Sequence, residues 1–167
     1  ENDFQLPRYD KFEELLQKLL EREQQRWLEI LDNDQSCCNA FIHLLLRANI
    51  SGKLQPEKIP IYYQDDWNMV NSFLQNHSFP GKQREEEKKA IFATICQNVN
   101  ENSLEIEPLY PDLIKEYMFC FYMDDSRLSE VLNELWQNEA SKFAIFITRA
   151  LTDFPEISFF KKVLKEF

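Results

Sequence analysis

Glycine is almost missing: the 167 residues contain two, Gly52 and Gly81. Phosphate-cradling loops and runs of tight hairpins both need backbone at positive φ, so neither is expected, and helices are. Ser51-Gly52-Lys53 has a Gly-Lys pair without the spaced upstream glycine of a P-loop, and reads as a helix stop followed by a turn. Positive charge is short as well. Nineteen Lys and Arg stand against 29 Asp and Glu, a formal net charge of −10. A nucleic-acid partner requires cations to neutralise phosphates, so DNA and RNA are not expected, nor is an anionic membrane surface. The longest apolar run, Tyr117 to Met123, has seven residues, far below the ~18 of a membrane span. The start, Glu1-Asn2-Asp3, has no basic stretch followed by an apolar one, so no secretory leader is expected. The lack of an initial Met fits a piece of a longer protein.

Cys37, Cys38, Cys96 and Cys120 form no C-x-x-C and fall in expected helices, which points to a reduced, cytoplasmic protein. Adjacent cysteines chelate one tetrahedral ion poorly, and Cys37, Cys38 and His43 lack a fourth ligand, so no metal is expected. His43 and His77 pair by spacing with no acid and nucleophile, and His43 lies among leucines as a packed or half-exposed side chain. No catalytic set can be assembled, so the chain is not expected to be an enzyme, and an independent hydrolase or transferase ranks last.

Present in quantity are apolar and aromatic residues: 44% hydrophobic, with 14 Phe, enough for a substantial core. The spacing predicts a long helix from Asp10 to about Leu31, with Phe12, Leu15, Leu16, Leu19, Leu20, Trp27, Ile30 and Leu31 on its apolar side and a solvated charged face opposite. A turn at Asp32–Ser36 leads to a helix over 37–49 that buries Phe41, Leu44, Leu45 and Ala48. Pro56 and Pro60 mark a loop, and a helix follows from Asp65 or Asp66 to Asn76. After a break at His77–Gly81, further helices are expected from about Glu85, over 127–137 with Trp136 buried, from Ala140 to Phe154, and over 159–167. Asp65-Asp66 and Asp124-Asp125 precede helices, where capping accounts for them.

The densest stretch is Leu104 to Tyr117. Leu104 and Ile106 alternate with Glu105 and Glu107 as a short strand that must stop at Pro108. After Pro111, the spacing of Leu113, Ile114, Tyr117 and Met118 predicts a helix whose positive end meets Asp112. Tyr117, Phe119, Phe121 and Tyr122 are expected in the core and not as a base-stacking platform.

Ile106-Glu-Pro-Leu-Tyr-Pro-Asp-Leu-Ile-Lys-Glu116 resembles the stretch of bacterial STAND-type (NACHT/NLR-like) signalling ATPases that reads apolar-Pro-Leu-x-Pro-Asp-Leu-apolar-Gly-Glu. The flanks agree in order: Leu15-Leu16 through Glu21 and Glu23 to Trp27, then Ala40 to Leu54, then Ala144 to Pro155. The resemblance, which covers about residues 12–155, implies a mainly α chain. Its parts would be a lead-in and lid-like helix over 1–33, a winged-helix-like domain with one short β element over 34–123, and a helical arm over 124–167. It also implies that Pro111-Asp112-Leu113 takes the place of the family's Met-His-Asp-Leu sensor, whose histidine contacts the nucleotide β-phosphate. Pro111 has no donor for that contact, and Lys115 stands where the family has a small residue. The chain lacks Walker A and B motifs, so no cofactor is expected in it, and ATP or ADP belongs to the parent protein. The partners so implied are the ATPase core and flanking domains of the same polypeptide. The alternative is a free-standing helical adaptor or effector domain that binds a protein partner.

Overall fold

The computed structural model describes residues 9–76, 106, 108–122 and 125–155. It is mainly helical: α1 Tyr9–Ile30, α2 Gln35–Ser51, α3 Gln64–Asn76, α4 Asp112–Tyr122 and α5 Asp125–Asp153. The lead-in before Tyr9, the helix expected from Glu85, Leu104 and the final helix lie outside the described residues.

Everything is built on α2. Its sequence carries apolar residues all round the helix, and Cys37, Cys38, Ile42, Leu44, Leu45, Leu46 and Ile50 are all buried. A helix apolar all round must be covered all round; α1, α3, α4 and α5 each pack on it. Its start is fixed by Asp34, whose side chain accepts a hydrogen bond from Cys37 N at 3.0 Å. A cap of this kind contributes about 1 kcal/mol. The turn before it holds Asp32 at φ 52° and Asn33 at φ 62°, the left-handed region that these two residue types tolerate best after glycine. Gly52 ends α2 at φ 91°, where a β-carbon would be strained.

Of the expected stripe, only Leu16, Leu20 and Trp27 on α1, and Leu31 just past its end, reach full burial, and the Trp27 ring meets Phe41 edge-on at 5.6 Å. Phe12, Leu15 and Leu19 remain exposed, Leu15 at 59%. The apolar stripe is wider than the seam that α2 can cover. Trp136 is likewise half-exposed instead of buried, on the outer side of α5.

The strand expectation reduces, among the described residues, to one antiparallel bridge between Leu54 and Ile106, with N–H···O distances of 2.9 and 3.0 Å. The two helices expected over 127–137 and 140–154 are both present within α5, and they meet at a kink where Glu139 leaves helical geometry (φ −141°, ψ 38°). The arm is not separate from the rest: Phe119 of α4 and Phe146 of α5 stack edge-to-face at 5.3 Å, and Tyr117 meets Phe154 at 5.4 Å. Residues from all three sequence segments join one hydrophobic cluster.

Candidate functional site

The corner that turns into α4 is tied to the end of α2 before any charge enters. Ile106 pairs with Leu54, and three residues later Leu109 N donates to Asn49 Oδ1 at 2.9 Å. Asn49, buried on α2, points its Nδ2 at Met118 Sδ of α4, 3.5 Å away. Leu54 and Asn49 together therefore set where α4 begins.

Pro111 is exposed, follows a cis peptide bond from Tyr110, and its carbonyl accepts from Ile114 N at 3.0 Å. Asp112 is the first residue of α4. Its position at the helix start is as expected, but its oxygens serve side chains and not the first-turn N–H groups. Oδ1 is 2.5 Å from Lys115 Nζ, and Oδ2 is 2.6 Å from Arg149 Nη2 on α5. Lys115 and then Arg149 hold the Asp112 carboxyl below its ordinary range. Lys115 Nζ also lies 5.1 Å from the centre of the Tyr110 ring, a cation–π contact across the corner.

Arg149 Nη2 reaches a second carboxylate of α4, Glu116 Oε1, at 3.0 Å. Glu116 is 1% exposed. Burial pushes its carboxyl up to about 7; the neighbouring Asp153 and Asp112 add to the rise, and Arg149 opposes it. One cation thus holds two turns of α4 against α5. Beside them lies a cleft of about 280 Å³ lined by Asn49, Gly52, Lys115, Glu116, Lys142 and Arg149.

A second ion cluster gathers at the α2 C-terminus, next to the same cleft, which its members Ser51 and Lys142 help to line. Arg47, 3% exposed, places Nη2 3.2 Å from Glu134 and 2.6 Å from Glu139, and its Nη1 donates to Ser51 Oγ. Ser51 Oγ in turn donates to Glu139 at 3.0 Å, and Lys142 Nζ lies 3.0 Å from Glu139 and 2.8 Å from Ser51 O. The bend of α5 is therefore fastened to α2 at the residue where helical geometry fails.

Both site residues read from the sequence, Pro111 and Asp112, fall at this corner. Arg149 lies 37 positions away, with no local signal to link it to Asp112, and long-range charge pairs leave no periodicity. Lys115 and Glu116 stood in the sequence motif itself. Arg47 was hidden inside Leu44-Leu45-Leu46-Arg47-Ala48, where an apolar context masks a buried charge. His43 is half-buried, and its Nδ1 lies 3.4 Å from Asp66, a residue expected only as a cap.

Among the described residues, no group of three or more His, Cys, Asp and Glu could hold a metal ion. Burial pushes the Cys37 and Cys38 thiols up to about 11 and raises that of Cys120 further, which leaves them protonated and inert as nucleophiles near neutrality. No helix among the described residues is long and apolar enough to cross a membrane. Compared with family models, curated proteins and solved structures, the chain matches none.

Proposed function

We propose that this chain is the regulatory module of a STAND-type signalling ATPase, a winged-helix-like unit and helical arm that respond to nucleotide state and perform no chemistry themselves. The observation that carries the reading is the Arg149 latch: Asp112, at the sensor-like position, is bonded directly to the arm-like half of α5. A switch needs an element with two arrangements that a ligand can bias. Asp112 and Arg149, 41% and 46% exposed, provide one at low energetic cost, because a pair this open to solvent contributes only about 0.2–1 kcal/mol. ATP or ADP would be held by the parent protein, whose core and flanking domains are the partners. A change at the corner would then reach α5 through Arg149.

The test is Asp112→Ala in the whole parent protein, with nucleotide exchange and melting temperature measured together. Switching should change well beyond what the small loss of stability explains. Normal switching with a lowered melting temperature would remove the sensor role.

A free-standing protein-interaction domain is the second reading. The exposed Phe12, Leu15 and Leu19 on α1 favour it, because a partner helix could cover that stripe.

A further inference from the structure

Glu116 is the most buried acid at the contact between α4 and α5, and one of its oxygens has no donor. Oε1 accepts from Arg149 Nη2, but Oε2 has no hydrogen-bond partner among the described residues. The same Nη2 also serves Asp112 Oδ2, and a guanidinium nitrogen of that kind carries only two hydrogens. The side chain within hydrogen-bonding reach of Glu116 is another acid, Asp153, one turn beyond Arg149 on the same face of α5. Ionised carboxylates accept and do not donate, so these two can bond only through a proton.

The surrounding charges call for the same proton. The acids at this contact are Asp112, Glu116 and Asp153, and the bases are Lys115 and Arg149. Lys142, across the small cleft that Glu116 lines, belongs to the other cluster, where it and Arg47 match Glu134 and Glu139. The part of α2 that reaches the cleft, Asn49 to Gly52, has no group that titrates. Behind Glu116, the Cys120 thiol donates to its main-chain oxygen, and Glu13 of α1 acts on that thiol. Three acids against two bases leave one negative charge in excess, which a single proton removes. Burial makes Glu116 its seat, with a carboxyl raised to about 7.

We propose that Glu116 and Asp153 share one proton that seats the last turn of α5 on α4, and that loss of this proton frees that turn. With the proton in place, the bond between the two carboxyl groups is charge-assisted and strong. When the proton leaves through the cleft to water, two like charges face each other. Glu116 is enclosed on all sides, so Asp153, half-buried at the helix end, is the partner that moves. Phe154 follows it in the chain. Its ring is buried 5.4 Å from Tyr117, and its N–H closes the last turn on Ala150 O at 2.9 Å. The seated form is therefore favoured below about pH 7 and lost as pH rises through that value. The device uses only α4 and α5, so it holds whatever the parent protein is.

The experiment is an NMR pH titration of the full 167-residue chain. It follows the Glu116 side-chain carboxyl carbon and the amide exchange of Phe154, corrected for the intrinsic rate. The carboxyl should titrate at about 7. Protection of Phe154 should fall about tenfold with the same midpoint, while the first half of α5 stays level. Asp153→Asn places an amide donor beside Glu116, so the carboxyl should titrate at least about one unit lower and Phe154 should stay protected throughout. Glu116→Gln, measured beside it in case the first variant disturbs the helix end, should also keep Phe154 protected at every pH. A Glu116 carboxyl that titrates below about pH 5.5, or one unmoved by Asp153→Asn, would overturn the proposal. So would Phe154 protection that ignores pH in the wild type, or that still falls with pH in Glu116→Gln.

Discussion

The two ion clusters flanking the end of α2 are inversions of each other. On one side a buried cation, Arg47, is held by two carboxylates of α5. On the other a cation of α5, Arg149, 46% exposed, holds two carboxylates of α4. Burial makes them different devices. A buried pair in low dielectric costs much to break, because the remaining partner stays desolvated and alone. A half-exposed pair gives each partner water to fall back on, so it can open and close within thermal reach. The Arg47 cluster accordingly fixes the bend of α5, and the Arg149 cluster is an adjustable contact. Glu116 and Lys115 cross the division: a buried acid and a lysine side chain only 14% exposed, both on the open side.

The comparison is tested most severely at Arg47. Arg47→Met should destabilise the chain by about 3–5 kcal/mol, read as a lower urea midpoint at an unchanged slope. Adding Glu134→Gln and Glu139→Gln should restore most of the loss, because the penalty belongs to stranded charges and not to lost packing. A loss below about 1 kcal/mol in the single variant would put both clusters in the same surface-like class.

Glu116 gives the next effect through pH. Its carboxyl titrates higher in the folded chain, at about 7 against an ordinary 4.5, so folding favours its neutral form. The resulting contribution to stability is complete below about pH 4.5 and is lost as pH rises through about 7. Glu116→Gln keeps the neutral shape at every pH. Relative to wild type it should gain on the order of 2 kcal/mol between pH 5 and pH 8. Stability curves that run parallel over that interval would show that Arg149 keeps Glu116 charged throughout.

The smallest effect is expected at Asp112. Asp112→Ala should change unfolding free energy by less than about 1 kcal/mol, and the change should shrink further in 1 M salt, where screening reaches ~3 Å. A salt-independent loss of several kcal/mol would mean that the latch is as rigid as the Arg47 cluster. That outcome would leave no adjustable contact at the corner.

The helices were legible because their apolar residues recur at helical spacing and their ends carry Asp34, Gly52 and Pro111. The corner was legible for the same local reasons, since Pro108 and Pro111 constrain the chain wherever it folds. Arg47, Glu116, Glu134 and Arg149 were not, because their roles arise only when distant turns meet. Leu15 and Trp136 show the converse limit: helical spacing reveals an apolar side, but its width against the available seam is set by the packing of neighbours. Glu139 combines both. A break between 137 and 140 was readable, and two helices meet there at a kink; the partners that gather at the Glu139 carboxylate, Ser51, Arg47 and Lys142, were not readable.

That bend also has a mechanical meaning. Ten residues separate Glu139 from Arg149, about 15 Å of helix at 1.5 Å per residue. Glu139 is pinned to α2 at one end of that length, and Phe143, Phe146, Ala150 and Phe154 are buried along its inner side. The second half of α5 is thus a strut, held at the bend and along one side, that carries the Arg149 guanidinium to α4.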